Sequence, residues 1–168
     1  LHTKKDTRAS QKILSLLEDD PKHILIAEYP WVVKSIPMIS KLNIYTGRKS
    51  KVERVPYHRA DIVADKKGEV RFISWWDKDD EFHAASRSSR EAAWQEMSLA
   101  DGAASVGKPV QINEAGTKVY LEADLGDKEI NSLIELDLQT SKSKVLFTQE
   151  NVDLSTWEND LVSNEPIV

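Results

Sequence analysis

Apolar residues fall in short runs along the chain, broken about every ten residues by clusters of Gly, Asp, Asn and Ser, the pattern of antiparallel strands joined by turns. Runs rich in β-branched, Leu and aromatic residues predict strands over 13–17, 23–28, 40–45, 50–55, 60–64, 70–75, 81–86, 92–97, 110–113, 118–123, 132–137 and 144–147. Helical periodicity is confined to 87–99, where Ala92, Ala93, Met97 and Leu99 share a face. The turn-like Ser86-Arg87-Ser88-Ser89-Arg90 and the strand-compatible Trp94 favour a strand there instead.

The strand pattern repeats. Leu42-Asn43-Ile44-Tyr45-Thr46-Gly47-Arg48-Lys49-Ser50-Lys51-Val52 returns as Leu136-Asp137-Leu138-Gln139-Thr140-Ser141-Lys142-Ser143-Lys144-Val145, with Thr140 lying 94 positions after Thr46. Between them, the hairpin cue Asp65-Lys66-Lys67-Gly68 returns as Asn113-Glu114-Ala115-Gly116, its glycines 48 apart. Strand starts at Ile24, Val70 and Val119 fix a period of about 47, and four short antiparallel strands per period is the sequence form of a propeller blade. Glycine after an acid or amide supplies the positive φ of a tight turn. The strand that follows sets Ile24 with Ile26, and Val119 with Leu121, on faces expected to pack between blades.

The expected fold class is therefore all-β, a partial β-propeller of about three to four four-stranded antiparallel blades. Residues 1–21 are expected to end a preceding blade or lead in, with blades over 22–56, 60–100 and 109–149. The segment 150–168, carrying Val152, Leu154, Trp157, Leu161, Val162 and Ile167, is expected to open a further blade. An open array of this kind exposes strand edges and apolar faces, so self-association is expected.

Composition narrows the partners. The chain has 168 residues, 40% hydrophobic and 30% charged, enough to bury a core. Its net charge of −5, with Lys and Arg dispersed among acids, argues against nucleic acid. No apolar run approaches the roughly 20 residues that span a bilayer, and Leu1-His2-Thr3-Lys4-Lys5-Asp6 lacks a signal-peptide core. Without cysteine there is no disulfide, thiolate metal site or Cys nucleophile, and both cytoplasmic and periplasmic locations stay open.

Three stretches resemble the N-terminal propeller of the prolyl oligopeptidase family of serine peptidases, particularly bacterial dipeptidyl aminopeptidases and acylaminoacyl peptidases. They are Leu16-Leu17-Glu18-Asp19-Asp20-Pro21-Lys22-His23-Ile24-Leu25-Ile26, Leu42-Asn43-Ile44-Tyr45-Thr46-Gly47-Arg48, and Ala115-Gly116-Thr117-Lys118-Val119-Tyr120-Leu121 with Leu133-Ile134-Glu135-Leu136-Asp137-Leu138. The family's Ser-Pro-Asp-Gly turn is missing, approximated only by 65–68 and 113–116. The resemblance implies a seven- or eight-bladed propeller capping an α/β-hydrolase domain, whose Ser-Asp-His site lies outside this chain. This chain would then gate and position peptide substrates without catalysing their cleavage. A self-contained, TolB-like protein-binding propeller is the alternative.

Candidate chemistry is thin. Ala103-Ala104-Ser105-Val106-Gly107 is a degenerate nucleophile elbow, but His2, His23, His58 and His83 all precede Ser105, whereas hydrolases of this fold place the His after the Ser. Those histidines share no i, i+2 or i, i+4 spacing that would sketch a metal site. The acidic run Asp77-Lys78-Asp79-Asp80-Glu81 lacks the Gly and terminal Glu of a calcium loop and is expected to be a solvated turn, as is Asp124-Leu125-Gly126-Asp127-Lys128-Glu129. Trp31, Trp75, Trp76, Trp94 and Trp157 supply either blade cores or a carbohydrate or peptide platform. Since Trp75 and Trp76 point to opposite faces of a strand, at most one is core. No catalytic, cofactor-binding or metal-ligating residue is assigned, and no cofactor is expected.

Overall fold

A computed structural model describes residues 8–32, 35–97, 107–124, 131–148, 158–160 and 162–167. The described residues form strands and turns with no helix. The first sheet comprises β1 (Ala9–Ser15), β2 (His23–Pro30), β3 (Met38–Asn43) and β4 (Lys49–Arg54). The second comprises β5 (Asp61–Ala64), β6 (Val70–Trp76), β7 (Phe82–Ser86) and β8 (Gln95–Glu96). The third comprises β9 (Gly107–Ile112), β10 (Lys118–Asp124), β11 (Asn131–Asp137) and β12 (Ser143–Phe147), and β13 (Glu158–Asn159) pairs with β14 (Pro166–Ile167). Each sheet is an antiparallel meander in chain order, and the first strands lie side by side, β5 between β1 and β9. This is a partial β-propeller, three blades and the start of a fourth.

The second strand of each unit starts at His23, Val70, Lys118 and Pro166, which carries the repeat through a fourth unit. The turns explain it. Asn43 and Asp137 each accept two N–H groups with one side-chain oxygen, from Tyr45 and Thr46 and from Gln139 and Thr140. Asp160 does the same for Val162 and Ser163. Each such turn ends on a left-handed residue four positions on, Gly47, Ser141 or Asn164, with φ of 68°, 56° and 55°. Asp65 and Asn113 close the shorter version on Gly68 and Gly116. A bulge also recurs where the first strand of each blade meets the second.

Two cores separate the blades. Leu25, Ala27 and Ile39 of the first sheet pack with Ile62, Ile73 and Trp75 of the second, while Val63, Phe72 and Ala84 pack with Val119, Leu121 and Ile134 of the third. The middle sheet thus buries both faces, and β5 and β6 are almost continuously apolar where a half-exposed strand would alternate. Truncating a fully buried Ile here, such as Ile73→Ala, costs about 2–5 kcal/mol.

Several expectations are revised. β1 is the inner strand of the first blade, so residues 9–15 belong to that blade and not to a lead-in or a preceding one. In the first sheet Leu25 and Ala27, not Ile24 and Ile26, pack on the next blade, because β2 meets it with the opposite face. The strand expected over 92–97 is reduced to Gln95–Glu96, since Arg87 holds the preceding segment in turns by donating to the carbonyls of Val70 and Arg90. The described part of the tail is a hairpin against the third sheet, where Asn159 and Gln111 exchange amide hydrogen bonds of 2.6 and 2.8 Å. His2, Ser105, Trp157 and residues 125–129 lie outside the described residues.

Candidate functional site

The meander sends alternate connections to opposite ends of the blades. The tight turns at 65–69, 113–117 and 160–165 gather at one end, where Lys66 bridges Glu18 and Glu114 at 3.1 and 3.3 Å. At the other end the β2–β3 connection (31–37), the β4–β5 connection (55–60) and the β6–β7 hairpin (77–81) frame a cleft of about 820 Å³. That volume lies within the range of small-ligand sites.

Aromatic rings shape the cleft. Trp75, 7% exposed, is stacked between Tyr57, at 3.6 Å between centroids and 8° between planes, and His83, at 5.3 Å and 11°. Trp76 points the other way, 54% exposed and edge-on to Phe82. Trp31, 68% exposed, also lines the cleft, and Pro30, Pro37 and Pro56 restrict the backbone around it. Of the adjacent tryptophans one is core and one is exposed, in keeping with strand alternation. Trp94 lies elsewhere, beneath the Arg87 guanidinium at 4.4 Å.

Hydrogen bonds fix the walls. Ser35 donates its hydroxyl to the Pro30 carbonyl at 2.6 Å, and His58 Nδ1 donates to the Ser35 carbonyl at 2.9 Å, joining the two connections. The Tyr29 hydroxyl donates to the Ala60 carbonyl, and burial, reinforced by the nearby Asp61 carboxylate, pushes its pKa up to about 12, so it is an uncharged anchor. Arg59 and Lys78 give the cleft a cationic rim, which Asp77 shares.

No family model matches the chain, and no curated protein does either. The chemistry of the cleft must be read from its own residues. It offers aromatic faces, a cationic rim and carbonyl acceptors. Among the described residues no side-chain hydrogen bond joins a serine or threonine hydroxyl to an imidazole.

The acidic run is the turn expected: Asp77 Oδ1 accepts N–H groups from Asp79 and Glu81 at 2.8 and 2.9 Å. The Glu81 N–H is the main cause of the Asp77 carboxyl lying below its usual range. His23 caps its own turn, its Nδ1 2.8 Å from Asp20. The aromatic residues were visible in the sequence, but their convergence was not, because the cleft is assembled from three connections on two blades.

Proposed function

We propose that this chain is the non-catalytic propeller portion of a prolyl oligopeptidase-type serine peptidase, and that its aromatic cleft holds peptide on the way to a hydrolase domain elsewhere in the protein. The observation that carries the reading is the grouping of Trp31, Tyr57, Trp75 and Trp76 around one cleft between two blades. Rigid aromatic surfaces bind extended, proline-containing or apolar peptides at low entropic cost, and a cationic rim suits a carboxylate or acidic side chain. The three family-like stretches support it further, since each includes a blade turn or the strand it feeds.

The test is a tryptophan-fluorescence titration with proline-containing peptides bearing a free C-terminus. Saturable binding that weakens at least tenfold in Trp31→Ala and Trp76→Ala is expected, with no turnover of aminoacyl or dipeptidyl chromogenic substrates. Turnover by the chain alone, or binding indifferent to both substitutions, overturns the reading. Capture of a folded protein through the cleft, with no affinity for peptides, favours the TolB-like alternative.

A further inference from the structure

We propose that Asp77, Glu81 and His83 bind a divalent first-row transition ion, zinc foremost, at the β6–β7 hairpin. Asp77 opens the turn, Glu81 closes it opposite, and His83 lies two residues further along β7, so all three project from one face of a two-stranded ribbon. One ligand atom from each lies within 4.8 Å of the other two. His83 Nε2 is 3.2 Å from Asp77 Oδ2. Two donors each about 2.0–2.1 Å from a tetrahedral ion are about 3.3 Å apart, so this pair needs almost no rearrangement.

A second relationship concerns the imidazole itself. Its Nδ1 faces Glu96 Oε1 at 3.7 Å while its Nε2 faces Asp77, so both ring nitrogens confront carboxylates. A neutral imidazole has only one N–H and satisfies one of them. Glu96, beyond hydrogen-bond distance of Nδ1, stands on the side of the ring away from Asp77, the side from which outer carboxylates orient ligating histidines. The ring is held flat by Trp75. Among the three candidate ligands Asp77 and Glu81 bring two carboxylates, which a divalent ion matches in charge.

The donor set chooses the metal. Calcium and magnesium take oxygen ligands, while an imidazole with two carboxylates suits zinc and its first-row neighbours. Glu81 is exposed, which leaves the remaining coordination positions to water. The inference is independent of the peptide reading.

The experiment uses tag-free protein titrated with zinc chloride by calorimetry and with nickel chloride by tryptophan fluorescence. One ion per chain is expected, with saturation in the micromolar range. Nickel should quench, because Trp75 stacks on His83 at 5.3 Å. His83→Gln should abolish both signals, whereas Glu96→Gln, which touches no ligand atom by hydrogen bond, should weaken affinity far less. Asp77→Asn keeps the fold, because Asn113 holds the same kind of turn through an amide oxygen, and it should also lose the ion. No saturable signal up to about 1 mM, unchanged binding in His83→Gln or Asp77→Asn, or calcium binding as tightly as zinc overturns the proposal.

Discussion

Arg87 reaches across two blades to grip Glu53, its Nη2 lying 2.7 and 2.8 Å from the two carboxylate oxygens. The guanidinium is almost fully enclosed, 4% exposed against 16% for Glu53, and its other nitrogens donate to the carbonyls of Val70 and Arg90. The guanidinium is therefore held by four hydrogen bonds and by the face of Trp94.

Removing one member of this pair strands the other. Glu53→Gln or Arg87→Ala should lower stability by about 3–5 kcal/mol in urea unfolding, and Arg87→Lys should recover little, because an ammonium cannot reproduce the fork. If either single substitution costs less than about 1 kcal/mol, the pair is not what joins these blades.

The adjacent tryptophans should separate stability from binding. Trp75→Ala removes a ring stacked on both sides and should cost about 3–5 kcal/mol, whereas Trp76→Ala should change stability by no more than about 0.5 kcal/mol while weakening peptide affinity. Thermal unfolding and fluorescence titration of both variants check the split.

Acid should loosen the hairpin caps. The carboxyls of Asp77, Asp137 and Asp160 lie below their usual range, chiefly through N–H groups donated by Glu81, Thr140 and Ser163 respectively. A depressed folded-state pKa adds stability that is complete above the unfolded value of about 3.9 and is lost as pH falls through the folded value. The urea midpoint should therefore decline below about pH 4. Asp137→Asn should decline less steeply yet fold, since Asn43 makes the same turn with an amide.

Two glycines with the same conformational sign should respond differently to alanine. Gly47 has φ of 68° and open space where a Cβ would stand, so Gly47→Ala should cost only the left-handed penalty of about 1–2 kcal/mol. Gly68 has φ of 82°, and its Cβ would collide with the buried Leu17 side chain, so Gly68→Ala should cost measurably more. Equal unfolding midpoints for the two variants would show that Leu17 moves aside freely.

Most of the architecture is legible because blade turns write themselves into the chain: an Asx residue that caps, then a residue able to take positive φ. Where that residue is glycine the signal is plain, as at Gly47, Gly68 and Gly116. In the fourth unit Asn164 takes the role, so the Asp160–Asn164 turn lacks the glycine signal although it matches the turn at Asp137. The end of β1 is hidden for a related reason, because the turn after it uses Leu17, at φ of 57°, in place of glycine. The Arg87–Glu53 pair spans 34 positions and has no local signature. The spacing of the histidines carries no trace of the carboxylates beside His83, because Asp77 reaches it only once the hairpin closes.

The middle sheet, apolar on both faces, has no version of itself that water tolerates. In a one-dimensional stack each unit's stability is its own plus that of its contacts, and the central unit draws its burial from both neighbours. The three blades therefore form one cooperative block. Cutting at 56–59 should release fragments that lose β6 amide protection together, rather than an intact blade on either side.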